Sequence, residues 1–308
     1  MKLKISQSFL AIIVLIESAP LSSADKMMLN VITDSAQHKT LSQAVIEIIG
    51  SLDGDKPSAT NVIKVTSDVD AGTIDLFTET IKRNINGPSE IHIQNNDNLN
   101  IKHFTCRHNA VLIVNQMTLR EIENFLWPLN CESSRKFLII FLEKETISPL
   151  ESSIKLMLDI MWRKFILNVH VVTLKGNGDV HLYTFFPYTK DFCGQVHPVV
   201  WNIYRNDSFI MKREHYPRKT DNFHQCKLNV AVFDVPPYMI IRNTTNGVID
   251  VEGADGELLK TLSNELNFSI NFTVVSEDVR WGEIYANRSA TGALGLVSIG
   301  EEVEKFVN

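Results

Sequence analysis

A chain of 308 residues that is 44% hydrophobic can bury a substantial core, with room for one large or two ordinary domains, so disorder is not its default state. Its formal net charge is -6 at pH 7 and its basic residues are scattered, which excludes the electrostatic footprint of a nucleic-acid binder.

The first residues set the compartment. Met1-Lys2-Leu3-Lys4 is a basic leader, Phe9 to Ile16 an apolar run, and Ser22-Ser23-Ala24 a small-residue cleavage site. Together they predict a secretory signal peptide over 1–24, since the apolar run is shorter than the about 18 residues a membrane span needs. The apolar runs that follow, at 111, 137 and 168, are each broken by charge or polarity within a few residues, so the processed chain is expected to be secreted and soluble as given.

Four cysteines fit an oxidising compartment. Sequence order suggests Cys106 with Cys131 and Cys193 with Cys226, although four cysteines allow three connectivities. Five N-x-S/T sequons, at Asn206, Asn243, Asn267, Asn271 and Asn287, gain weight as glycan acceptors from the signal peptide.

From residue 25 to about 192 short β-rich runs alternate with helical ones, which predicts an α/β domain with a sheet covered by helices on both faces. Thr40 to Gln43 has capping-box form and opens a helix through Val45, Ile46, Ile49 and Leu52. Strands are expected at 61, 90 and 111, with a helix from Thr73 between the first two and another from Thr118 that stops before Pro128. FLIIFLE at 137 reads as a central strand, Pro149 opens a long helix to about Phe165, and NVHVVTL at 168 is the next strand. Gly176-Asn177-Gly178-Asp179 then predicts a hairpin into VHLYTFFPY.

Residues 193–226 lose the alternation and carry two cysteines, which predicts a disulfide-tied linker. A second unit spans 227–308. LNVAVF from Leu228 is a strand ended by Pro236-Pro237, and Leu258, Leu259, Leu262 and Leu266 share a helical face. In FSINFTVV, Phe268, Ile270, Phe272 and Val274 alternate with Ser269, Asn271 and Thr273, as in a strand with one buried face.

Motifs that carry chemistry were sought, and G-x-S-x-G, H-E-x-x-H, P-loop and C-x-x-C patterns do not occur. Cys106-Arg107-His108 lacks a second ligand pair and reads as a disulfide cysteine beside a surface histidine rather than a metal site. Gly292-Ala293-Leu294-Gly295 reads as helix packing rather than an anion site, and Asp255, Glu257, Glu301, Glu302 and Glu304 as solvated charge rather than catalytic carboxylates. No enzyme, cofactor or metal is expected.

The run HLYTFFPY with FCG, then HYPRKTDNFHQCKLNVAVFDVPPY, then DGELLKTLSNELNFSINF with WGEI and TGALG resembles the insect chemosensory ionotropic receptors, divergent relatives of the ionotropic glutamate receptors. The pieces come in that family's order over roughly residues 180 to 300. The resemblance implies a variable amino-terminal α/β domain followed by an incomplete periplasmic-binding-protein-like lobe (S1). It further implies a subunit of a ligand-gated cation channel that closes a clamshell on a small odorant or tastant, works with other receptor subunits and stands on the outer face of the plasma membrane. The end of S1, the pore and the lobe S2 would then lie beyond Asn308, and the chain would be a fragment. Tyr238 and Val251 are the implied cleft-edge residues. Where glutamate receptors place an acidic residue before Pro-Tyr, this chain has Val235 or Pro236, so a glutamate ligand is not implied. A secreted solute-binding glycoprotein and a non-conducting assembly subunit are the alternative readings.

Overall fold

The computed structural model describes residues 39–51, 61–65, 69, 71–84, 89–93, 109–114, 136–142, 150–243, 249–285 and 289–299. The expected leader, Cys106, Cys131, Asn287 and the helix expected from Thr118 lie outside these residues. The described chain forms two units, one comprising residues up to Thr184 plus Pro198–Tyr216, the other Phe185–His197 plus the residues from Pro217 onward.

The first unit is an α/β layer structure. Helix α1 covers 39–50, strand β1 Asn61–Val65, helix α2 Ala71–Asn84 and strand β2 Ser89–Ile93. Strands β3 (Asn109–Val114) and β4 (Phe137–Phe141), helix α3 (Leu150–Arg163) and strands β5 (Val169–Leu174) and β6 (Val180–Thr184) follow. Strands β7 (Val199–Arg205) and β8 (Ser208–Phe209) complete an eight-stranded sheet of order β2-β1-β3-β4-β5-β6-β7-β8. Its first five strands are parallel, and β6, β7 and β8 add antiparallel pairs.

Burial explains why these runs become strands. All five residues of β4 are buried, as a strand covered on both faces requires, and this is why FLIIF shows no polar alternation. On one face, Leu138, Ile140 and Val172 join Leu41, Val45, Ile48 and Ile49 of α1 and Phe77 and Ile81 of α2 in a single core. The buried residues Ile154, Met157, Leu158 and Met161 of α3 belong to none of that cluster. Because successive strand residues point to opposite faces, α3 has Phe137, Ile139, Val169 and Val171 left to cover.

Residues 193–226, expected as a linker, are divided instead between the two units. Val199–Arg205 pairs with β6, with a register shift between Leu182 and Tyr183. The sheet is then blunted at this end. Pro198 precedes β7 without an N–H, and the Asn202 amide takes the place of a ladder by donating to Met211 O (2.8 Å) while accepting from Met211 N (3.0 Å).

In the second unit strand β9 (Lys227–Val232) lies parallel to β12 (Ser269–Val274), in register from Lys227 with Ser269 to Val232 with Val274. Between them in sequence come β10 (Ile240–Asn243), β11 (Ile249–Glu252) and helix α4 (Ala254–Glu265), and α5 (Gly292–Ile299) follows β12. The expected burial pattern is not reached here. Val274 of β12 is 48% exposed and Leu258 of α4 56%, and Gly256 is the buried residue of that helix. A clean alternation needs a layer packed on one face of the sheet, and within this unit the pair β9-β12 packs Phe233, Val275 and Ala293 at one end instead.

Candidate functional site

The order of the parallel strands makes one place in the first unit special. Chain order runs outward from β1 in two directions, to β2 on one side and to β3, β4 and β5 on the other. At such a reversal the connections leave the sheet toward opposite faces, and a crevice opens outside the carboxyl ends of the two central strands. Those ends are Val65 and Val114. Helix α2 starts at the same edge with the small, exposed residues Ala71 and Gly72 and no acidic residue in its first turn, while Val69 just before it is buried.

The residues expected at a cleft edge lie in the second unit, one exposed and one buried. Tyr238 is 56% exposed in a turn closed by a bridge between Val235 and Met239, beside a cis bond between Pro236 and Pro237. Val251 is 0% exposed and packs on Gly256 within its own unit. The start of α4 is closed as well: Ala254 N donates to Pro237 O (3.3 Å) and Asp255 N to Tyr238 O (2.9 Å). This fit requires glycine at 253, where φ is 89° and a Cβ would lie 2.5 Å from both carbonyl oxygens.

Cys193 and Cys226 are bonded, with Cα atoms 5.5 Å apart. Beside them the Tyr188 ring lies tilted against Phe223 at 4.3 Å, and Phe223 meets Phe268 edge-on at 5.7 Å. Of the sequon residues, Asn206 is exposed in the turn between β7 and β8, Asn243 ends β10, and Asn271 lies exposed on β12 with its amide donating to Asn229 Oδ1 at 2.8 Å. Asn267, half-buried at φ 56°, donates to Asn222 Oδ1 at 2.9 Å.

Two polar clusters escape sequence reasoning because their partners are distant in the chain. In the first unit Arg205 Nε donates to Asp179 Oδ1 at 2.7 Å and its second amine to Oδ2, so the guanidinium holds the Asp179 carboxyl below the usual carboxylate range. In the second unit Lys219 is 7% exposed, with Nζ 4.7 Å from the ring centroid of Phe185 and 5.7 Å from that of Phe186. Burial outweighs the attraction of the rings and brings this amine down to about 7.

The sign of the Lys219 effect follows from linkage. Between about 7 and the ordinary lysine value of about 10.4 the unfolded chain holds a proton that the fold has released, so stability rises with pH across that window. Lys219→Met is expected to raise Tm at pH 6 and to raise it far less at pH 10. Thermal denaturation at the two pH values checks this, and equal shifts at both would count against a neutral amine in the fold.

Among the described residues no group of three or more histidine, cysteine, aspartate or glutamate side chains could hold a metal ion, and no helix is long and apolar enough to cross a membrane.

Comparison with known proteins places the chain. No curated protein matches it. Residues 31–222, more than half of its length, match the family model described as "Putative ionotropic receptor, ligand binding domain". That stretch contains the whole described sheet of the first unit. By this match the chain belongs to the ionotropic receptor ligand-binding-domain family.

Proposed function

We propose that this chain is the extracellular ligand-binding part of a chemosensory ligand-gated cation-channel subunit, and that its small-molecule ligand binds in the first unit at the carboxyl edge of β1 and β3. The observation that carries the location is the strand order, because it reverses at β1 inside the stretch that matches the ligand-binding-domain family. The chemosensory role, with an odorant or tastant as ligand, rests on the sequence resemblance over residues 180 to 300. So do the partnership with other receptor subunits and the position outside the plasma membrane.

In the same reading residues 227–308 begin the lobe S1, whose movement on ligand binding is transmitted to a pore. The parallel pair β9-β12 with α4 between its strands is the arrangement such a lobe starts from. The five sequons carry glycans, and Cys106 pairs with Cys131 in a second disulfide.

The test uses the chain exported from eukaryotic cells, its loss of mass on glycosidase treatment reporting sequon occupancy. Thermal shift and tryptophan fluorescence are recorded against a panel of small carboxylic acids, amines and amino acids. At least one class is expected to bind, and Ala71→Trp, at the rim of the proposed crevice, to weaken it by about tenfold or more, equivalent to about 1.4 kcal/mol. Arg83→Trp, at the far end of α2, is the control and should bind as wild type. Equal affinity in wild type and Ala71→Trp would move the site elsewhere, and no binding across the panel would remove the reading. In a full receptor, the ligand-evoked cation current should fall in the same variant.

A further inference from the structure

Thr173 on β5 and His181 on β6 stand directly opposite each other across an antiparallel pair. Thr173 is 0% exposed and His181 half-buried. Their row on the sheet is otherwise apolar, since Phe141 of β4 registers with Thr173 and Ile203 of β7 with His181. Successive strand residues alternate faces, so the row lies on the side that carries Ile139, Val169 and Val171, away from the core built against α1 and α2.

Two polar atoms of this row have no hydrogen-bond partner among the described residues. They are Thr173 Oγ1 and His181 Nδ1, both buried, and neither bonds the other. Lys175, two residues on from Thr173 on the same face, brings Nζ to 5.9 Å from the ring centroid of Tyr183, which registers with Val171 two residues back. The lysine stem therefore crosses the pair and shields it from bulk solvent. Burial, and then the charge of Lys175, lowers the His181 imidazole, so the ring is neutral at pH 8.

Left dry, the hydroxyl and the ring nitrogen would each forgo the bond that they make to water in the unfolded chain. The spacing decides what can serve them. Side chains directly opposite in an antiparallel pair have Cβ atoms about 5 Å apart, and one water with two bonds of about 2.8 Å spans up to about 5.5 Å. A hydroxyl and a neutral imidazole carry no net charge, so nothing at the pair favours an ion. Water both donates and accepts, which suits either tautomer of the ring. We propose that one ordered internal water bridges Thr173 Oγ1 and His181 Nδ1 and is a structural part of the β5–β6 hairpin. It ties the two strands through their side chains, one row before the place where Arg205 of β7 holds Asp179.

The experiment uses the full chain. Thr173→Val keeps the shape and removes the hydroxyl, and so separates a bridged hydroxyl from an orphaned one by sign. Removing an orphaned hydroxyl raises Tm, whereas removing one arm of a water bridge lowers it; a fall of about 2–4 °C is expected, the shift of one hydrogen bond in a domain of this size. In the wild-type chain at pH 8, NMR cross-relaxation should show a long-lived water beside the His181 ring, lost in Thr173→Val and kept in Thr173→Ser. Crystals that diffract well enough to show waters should place one within hydrogen-bond distance of both atoms. A Tm unchanged or raised in Thr173→Val overturns the proposal. So does a wild-type chain in which Thr173 Oγ1 bonds His181 Nδ1 directly, or in which no long-lived water lies beside the ring. The wild-type readings do not depend on a variant that folds.

Discussion

Replacing Cys226 with serine is expected to destabilise the second unit by about 3–4 kcal/mol, the loop-closure entropy of a bridge spanning a sequence separation of 33. The reduced Cys226→Ser chain regains the freedom of that loop in its unfolded ensemble, while the fold keeps a buried position, 1% exposed, filled by a smaller polar group. The local cost extends along the backbone. Cys226 N donates to Phe223 O (2.9 Å) and Cys226 O accepts from Ser269 N (3.0 Å), so this residue also joins the backbone of Phe223 to the start of β12. The yield of folded chain should fall and the denaturant midpoint of the second unit should drop. Cys193→Ser should behave the same, and the double variant no worse than either single one, because one bond is removed in each case. A midpoint unchanged in both single variants would show that the bridge constrains nothing.

The second large effect is expected at Gly282. Here φ is 76° and a Cβ would lie 1.8 Å from Thr291 O and 2.2 Å from its carbonyl carbon, backbone atoms that cannot swing aside. Gly292 meets the same strand of chain from the other side, with a Cβ that would lie 2.6 Å from Gly282 N. The two glycines let residues 280–283 and 290–294 touch backbone to backbone, and the start of α5 depends on it: Ala293 N donates to Arg280 O (2.9 Å) and Leu294 N to Trp281 O (3.0 Å). Gly282→Ala must open this contact, at a cost on the order of 3 kcal/mol. Hydrogen exchange should then rise across 280–295 and the Trp281 emission should change as its edge-on contact with Phe233 is lost. Gly50→Ala, where a Cβ would meet nothing within 4 Å, is the control and should be neutral or slightly stabilising. Unaltered exchange in Gly282→Ala would mean that the close approach does not exist in solution.

Much of the first unit is legible in the sequence because its signals are local. The run FLIIF can be little else than a doubly covered strand, and Asn177-Gly178 specifies the turn between β5 and β6, where Gly178 has φ 85°. The α/β class follows from those runs and holds in the structure. Strand order is another matter, since no residue announces that β1 sits between β2 and β3. The run Val199 to Arg205 has the β-branched and aromatic content of a strand, but the flanking cysteines, proline and charges outweigh it and suggest a linker. In the second unit Leu258 and Leu262 satisfy helical periodicity yet remain exposed, because periodicity states which face could be buried and not whether anything in the unit covers it. Lys219 lies against Phe185 and Phe186, partners that burial and chain crossing bring together.

The division of residues 185–216 between the units bears on how the protein is made. The chain leaves the first unit after Thr184, comes back at Pro198 and leaves again after Tyr216. During synthesis the first unit can form its parallel strands early, but it lacks β7 and β8 until Arg205 and Phe209 have emerged. Cys193 likewise has no partner until Cys226, at a sequence separation of 33, has emerged. The two units therefore mature together, and a truncation before Tyr216 yields neither of them whole.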